Sequence, residues 1–475
     1  MFSKLNYLNV GDAGTFRKTG KHYSTPEDVD ALIEHLKTQD KLVIHFHGGL
    51  NKEAVGMQIA EKLSNSYKGA HPLTIVWETG LLETVQDRIT DVYKTKLFKK
   101  LVFWVVKKAS KYLPEDFQIG ARGSKELTDA EILDELSKER PFENLTQTLP
   151  QGSRGADFSL TEMELDNLID EVEAELETEI DMTDPQISGM LTGYNAQKIT
   201  GPQTSRGQAR GISVKLIKDL AKLTVQVIRR FTNGTHHGLY PTIVEEILQQ
   251  YYLADVGEWV WGGMKLSAQE MWQENTNLTG VEQHAGTYLL EKLITLQQQH
   301  HIKIDIVGHS AGAIAICHLF KAMKQRQQSL DIRNLIFLAP AARYDLFIQH
   351  ILPQPNFYQS FKMYTMSDQY ECNDILVPYV YTRSLLYFIS GVLEGKDDMP
   401  IIGMARYISQ PEQYKENAFA KVRAFMSEDN RLILSNSSEL NPGAVAPLIT
   451  TSETHGDFDD DEATISSINK LLQED

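Results

Sequence analysis

Cysteine is nearly absent: Cys317 and Cys372 are the only two in 475 residues. They cannot build a disulfide framework, and neither lies in a Cys-x-x-Cys pair that would hold zinc or carry redox chemistry, so a reducing cytoplasm is the expected setting. Long apolar runs are also missing. The longest, such as Leu101 to Val106, fall far short of the roughly 20 residues that cross a bilayer. Met1 to Val10 lacks the continuous apolar stretch of a secretory signal, so export by that route is not expected. Basic residues are in the minority, 47 Lys and Arg against 64 Asp and Glu, for a formal net charge of −17. A chain so charged repels phosphate backbones, and no nucleic acid partner is expected.

What remains is the composition of an ordinary globular protein, 41% hydrophobic and 23% charged. The length exceeds the roughly 250–300 residues at which one hydrophobic core stops growing. Two domains, or one domain with a large insertion, are therefore predicted.

Helical spacing from Pro26 to Leu36 gives way to a short apolar strand, Lys41 to Phe46, that ends in His47-Gly48-Gly49. A helix over Asn51 to Leu63 and a strand over Pro72 to Trp77 follow, and the alternation predicts a parallel sheet covered by helices. It stops at Gly80. Residues 81–267 read as a mainly helical cap inserted into a core of residues 1–80 and 268–475. The insertion holds a lysine-rich apolar stretch over Asp91 to Leu113, an acidic one over Leu160 to Asp184, and a loop rich in Gly, Gln, Ser and Thr from Pro185 to Gly211. Alternation then resumes, with helix Val281 to Gln299, strand Ile302 to Val307, helix Ala311 to Met323 and strands Leu335 to Leu338 and Phe361 to Met366. An aromatic excursion, Leu376 to Leu393, precedes helix Glu416 to Met426, strand Arg431 to Leu434 and a last helix from Asp460 to Leu472.

The chemistry concentrates in Ile302-Lys303-Ile304-Asp305-Ile306-Val307-Gly308-His309-Ser310-Ala311-Gly312-Ala313, an apolar strand running through Gly-x-Ser-x-Gly into a helix. A serine hydroxyl is a weak nucleophile at neutral pH. It must stand on a sharp turn facing a base, and the flanking glycines let strand and helix close on each other there. With this context the chain resembles the α/β-hydrolase superfamily over about Lys41 to Trp77 and Val281 to Leu472.

The resemblance implies an α/β-hydrolase fold in which Ser310 is the nucleophile, the acid follows it at a later strand end, and the base comes last before the C-terminal helix. Strand Phe361 to Met366 ends in Ser367-Asp368, which makes Asp368 the expected acid, with Glu371 and Asp374 as competitors. His455, in Ser452-Glu453-Thr454-His455-Gly456-Asp457-Phe458, is the expected base, because no other histidine lies between His350 and the end of the chain. Phe46-His47-Gly48-Gly49-Leu50 resembles the oxyanion loop of esterases and lipases. Main-chain N–H groups of Gly49 or Leu50 and of Ala311 are the expected oxyanion donors, and His47 and Gly48 would line the substrate. Read without the resemblance, His47 packs beneath a glycine turn, His309 is a packing residue, and the acids Asp457 to Glu462 complement a helix dipole.

Other chemistries have less to stand on. His45 and His47 share a strand face and Asp305 and His309 add possible ligands, but no His-x-x-x-His, cysteine cluster or compact Asp/His set completes a shell, so no metal is expected. Gly14 to His22 lacks the spacing and terminal Ser or Thr of a phosphate loop, so no cofactor is expected.

The function expected is hydrolysis of a small-molecule carboxylic ester, lipids included, by a serine hydrolase with a Ser-His-Asp triad. Peptidase and thioesterase activities are alternatives on the same fold. From Lys94 to Leu113, apolar residues at helical spacing are surrounded by lysines. Such a helix either packs on the protein with its lysines solvated or docks on an anionic membrane surface. The acidic segment Glu162 to Asp184 is a candidate partner for those lysines. A protein partner at the cap, making the chain a regulated effector or subunit, is the rival of another class; a non-catalytic binding protein of the same fold is a third. Trp77 to Glu83 and Thr454 to Asp459 further resemble a bacterial group of α/β hydrolases, which carries no substrate over.

Overall fold

The computed structural model describes residues 2–48, 53–77, 81–113, 127–143, 161–180, 208–252, 258–395, 398–440 and 442–474. The chain divides into two compact units. One comprises Met1–Glu83, Trp259–Asp374 and Pro400–Asp475; the other comprises Thr84–Glu258 and Ile375–Met399.

The first unit begins with β1 (Tyr7–Val10), α1 (Pro26–Leu36), β2 (Lys41–Phe46), α2 (Glu53–Ser66) and β3 (His71–Trp77). The second contributes α3 (Lys96–Tyr112), α4 (Glu162–Glu179), α5 (Gln208–Thr232) and α6 (Leu239–Ile247). The first resumes with α7 (Ala285–Gln299), β4 (Lys303–His309), α8 (Gly312–Arg326), β5 (Ile332–Leu338), β6 (Tyr358–Thr365), α9 (Asp368–Asn373), α10 (Asn417–Met426), β7 (Leu432–Leu434) and α11 (Glu462–Gln473). α1 starts where predicted because Thr25 and Asp28 form a reciprocal capping box ahead of Pro26. β1, a four-residue edge strand, is too short for its alternation to register and was not expected.

The seven strands form one sheet in the order β1-β3-β2-β4-β5-β6-β7, every neighbouring pair parallel. The protein is thus of the α/β class. Leu42, Val43, Ile44 and Phe46 of β2 are all buried, as a parallel strand covered on both faces requires. Val43, Val307, Ile336, Tyr364, Phe458 and Leu471 belong to one buried cluster, which ties the sheet to α11 and to the loop before it.

Chain order reverses between β2 and β4. β2 is followed by β3 on one side, whereas β4 is followed by β5 on the other, and the carboxyl ends of such a strand pair frame the crevice where open α/β sheets place their sites. His47-Gly48 and Ser310 follow those two ends.

In the second unit, α3 buries Leu97, Phe98, Leu101, Val102, Val105 and Ala109. Its lysines meet acids: Lys108 Nζ lies 2.6 Å from Glu175 and 2.8 Å from Glu179, Lys111 lies 3.3 Å from Glu175, and Lys107 lies 2.9 Å from Asp129. The apolar face considered for membrane docking is therefore packed inside the unit, and these three lysines are neutralised within it. Deeper in, Arg230 pairs with Glu245 at 2.7 Å and Glu246 at 3.0 Å, while His237 bridges Glu245 at 2.7 Å and Asp398 at 3.0 Å. Tyr381 donates to Glu245, which helps draw Ile375–Met399 into this unit rather than leaving it with the flanking sheet strands. Residues 185–207 of the expected loop lie outside the described residues, and Gln208 already begins α5. No described helix is long and apolar enough to cross a membrane.

Candidate active site

β4 delivers Ser310 through Gly308 and His309. Ser310 takes φ 51°, a left-handed conformation that costs a non-glycine residue roughly 1–3 kcal/mol and persists only where the surroundings over-determine it. They do so here. Its N–H donates to Leu338 O at 2.9 Å, and its carbonyl accepts from Ala341 N at 2.9 Å and Ala313 N at 3.2 Å. The glycines on either side are steric requirements. A Cβ at Gly312 would lie 2.9 Å from the Phe46 carbonyl carbon and closer still to its oxygen, and one at Gly308 would lie 2.5 Å from Ile316 Cδ1.

The structure brings Ser310 and His455 together across 145 positions of sequence: Oγ and Nε2 are 2.8 Å apart, with Ser310 2% and His455 6% exposed. The loop carrying His455 is held at several points. Buried Phe458 anchors it, and Asp461, at the N-terminus of α11, accepts from Thr464 N at 2.9 Å and Thr451 N at 3.0 Å. Further along, Lys41 Nζ donates to the carbonyls of Leu472 and Glu474 at the other end of α11, where a cation complements the helix dipole. Burial first, and the neighbouring His309 second, hold His455 down to about 3, so at neutral pH its imidazole is uncharged. Its Nδ1 has no hydrogen-bond partner among the described residues.

Asp368, the expected acid, makes no hydrogen bond to the imidazole Nδ1. It opens α9 and accepts from Gln410 Nε2 at 2.9 Å. Asp374, one residue past α9, reaches His455 instead: its Oδ2 accepts the His455 main-chain N–H at 2.9 Å. Burial raises its carboxyl to about 6 against the opposing pull of that bond. Glu371, on α9 between Asp368 and Asp374 in sequence, is buried.

Gly49 and Leu50 lie outside the described residues. Gly48 is described, and a Cβ there would sit 3.4 Å from Ser310 Cβ, so the end of the β2 loop adjoins the serine. Ala311 is fully buried at the N-terminus of α8, and its N–H finds no acceptor among the described residues. His47 is spent on the backbone: its ring is within 2.6 Å of Gly48 O through Nδ1, accepts from Trp77 N at 3.3 Å through Nε2, and stacks on Trp77 at 4.7 Å. Both nitrogens are engaged and burial lowers it to about 4, so it shapes the loop as a neutral ring.

The residues weighed as metal ligands are dispersed. Asp305 accepts from Arg333 Nε at 2.9 Å and Asn334 Nδ2 at 2.7 Å, and His45 Nδ1 meets Tyr67 Oη at 2.8 Å. No group of three or more metal-ligating side chains forms among the described residues.

Two features escaped the sequence reading. Asp374 was one of three carboxylates spaced along a short helix, and nothing in the spacing says which faces His455. His309 was read as packing, yet its ring lies 5.6 Å from that of His455, donates from Nε2 to the His455 carbonyl at 3.0 Å, and faces Asp459 Oδ2 with Nδ1 at 3.4 Å. The available signal is the acidic run after His455, for which the sequence offers helix-dipole charge only as an alternative. Compared with protein families, curated proteins and solved structures, the chain finds no match.

Proposed function

We propose that the chain is a serine hydrolase of the α/β-hydrolase type that cleaves a carboxylic ester through an acyl-enzyme. The observation that carries the reading is the 2.8 Å contact between Ser310 Oγ and His455 Nε2, made by a serine in left-handed conformation at the switch point of a parallel sheet.

In this reading Ser310 Oγ bonds to the ester carbonyl carbon as its proton passes to His455 Nε2, which the neutral ring is free to accept. The carbonyl oxygen becomes an anion, and the Ala311 N–H, with Gly49 or Leu50, receives it. Collapse breaks the bond to the alkoxy group, which leaves with the proton from His455. Water then repeats the sequence to release the acid. Asp374, already bonded to the main chain of His455, is the carboxylate we assign to orienting and stabilising the base; Asp368, bound to Gln410, takes no direct part.

The choice of ester rests on the resemblance to esterases and lipases, and a panel of p-nitrophenyl esters from acetate to palmitate tests it. Turnover by the parent that is lost in Ser310→Ala supports the reading, and the preferred chain length names the substrate class. A parent with no turnover of any ester removes it.

A further inference from the structure

Four histidines crowd the carboxyl ends of β2 and β4, and one differs from the rest in what its nitrogens face. His47 has one donor and one acceptor around it, and His455 Nε2 meets a hydroxyl. His45 Nδ1 meets the Tyr67 hydroxyl. Among the described residues, the groups facing the two nitrogens of His309 are acceptors. Nε2 lies 3.0 Å from the His455 carbonyl oxygen, and Nδ1 lies 3.4 Å from Asp459 Oδ2. A carbonyl oxygen and a carboxylate have no proton to give, so a ring that faces both is favoured with a proton on each nitrogen, as an imidazolium. Neither Nδ1 nor Asp459 Oδ2 has a hydrogen-bond partner among the described residues, which leaves opposite charge as what holds them.

We infer that His309, charged and paired with Asp459, is a positioning residue for the base: it fixes the His455 main chain and keeps the His455 imidazole unprotonated. The inference rests on the reading of Ser310 and His455 as nucleophile and base. His455 is thereby gripped at both main-chain groups, its N–H by Asp374 and its carbonyl by His309. The grip comes from the residue adjoining the nucleophile, so serine and base are referred to the same turn. The charge has a second effect. A cation beside an imidazole disfavours a second cation there, which preserves the proton-accepting form as the pH falls.

The surrounding groups agree. β2 presents His45 and His47, both kept neutral by burial, and Tyr67 follows α2. The loop before α11 presents Asp459 and Asp460, and Asp374 approaches His455 from the end of α9. Burial pulls His309 down, and Asp459, the His455 carbonyl and Asp460 together more than compensate, leaving it above its ordinary value. Burial likewise pushes Asp459 up, and His309 brings it to about 2.

The test is nitrogen NMR of histidine-labelled full-length protein across pH, read beside the pH dependence of fluorophosphonate labelling, in the parent, Asp459→Asn, His309→Gln and His309→Ala. The parent should show His309 doubly protonated at neutral pH. Asp459→Asn should neutralise it, and His309→Gln keeps a donor for the carbonyl without the charge. His309→Gln should move the His455 titration, and the acid limb of labelling, up by about 1–2 pH units; Asp459→Asn, which removes the opposing pull of the anion together with the cation, should move them up by less. His309→Ala should in addition lower the plateau labelling rate by tenfold or more, because the grip on the carbonyl is lost. A neutral His309 in the parent overturns the inference, as does a His455 titration unmoved in His309→Gln, which would mark the residue as structural only. The expected titrations without labelling of the parent would leave the electrostatic pairing standing and sink the hydrolase reading.

Discussion

Replacing Gly312 by alanine tests whether the serine turn depends on the close approach of α8 to β2. The new Cβ would lie 2.9 Å from the Phe46 carbonyl carbon, against the 3.5–4.0 Å at which carbons rest comfortably, and nearer still to the oxygen. Backbone cannot swing aside as a side chain does. The end of β2 and the start of α8 must separate by about 0.5–1 Å, and overpacking of this kind typically costs about 1–3 kcal/mol. At about 2–4 °C per kcal/mol the melting temperature should fall by roughly 2–12 °C. Ser310 moves with α8, and a misplacement near 1 Å typically costs about 100-fold in rate. The comparison is Gly308→Ala, whose closest contact is the rotatable Cδ1 of Ile316 and whose melting temperature should fall less. The assay is differential scanning fluorimetry beside the rate of fluorophosphonate labelling. A Gly312→Ala protein that melts and labels like the parent would refute the steric argument.

Asp374→Ala should slow labelling roughly 10²- to 10⁴-fold, whereas Asp368→Ala should stay within about tenfold; the reverse order would return the orienting role to Asp368. Stability should fall as pH drops from 6.5 towards 4. His45, His47 and His455 are depressed to about 3, 4 and 3, so the unfolded chain binds their protons first, each steepening the fall by up to about 1.4 kcal/mol per pH unit. Asp374, raised to about 6, works the opposite way between about 3.8 and 6, one group against three, so urea midpoints flat over this range would contradict the burial of the histidines. In the second unit, Arg230→Met strips Glu245 and Glu246 of a buried counter-ion and should cost about 3–5 kcal/mol in chemical denaturation; a loss under about 1 kcal/mol would mean these carboxylates are satisfied without it.

The parts legible in the sequence were those whose cause is local. The strand entering Ser310 is buried along almost its whole length and carries Ile304, Ile306 and Val307, its flanking glycines are forced by contacts within a few residues and by Phe46, and His455 stands alone ahead of the last helix. β1 was missed because four residues on a sheet edge carry too short an alternation. The choice among Asp368, Glu371 and Asp374 was not legible because it depends on where a six-residue helix ends relative to a loop about 80 positions away. Leu376 to Leu393 reads in sequence as an aromatic excursion of the core, whereas Ile375–Met399 belongs to the second unit, where Tyr381 donates to Glu245. His309 looked inert for the same reason: its charge is created by Asp459 and by the His455 carbonyl, neither of which is near it in the chain.

The most direct test of the central claim is to incubate the full chain with a fluorophosphonate and map the adduct by peptide mass spectrometry. The account predicts one modified residue, Ser310, with labelling abolished in Ser310→Ala and strongly slowed in His455→Ala. No adduct, or an adduct on another residue that persists in Ser310→Ala, would contradict it.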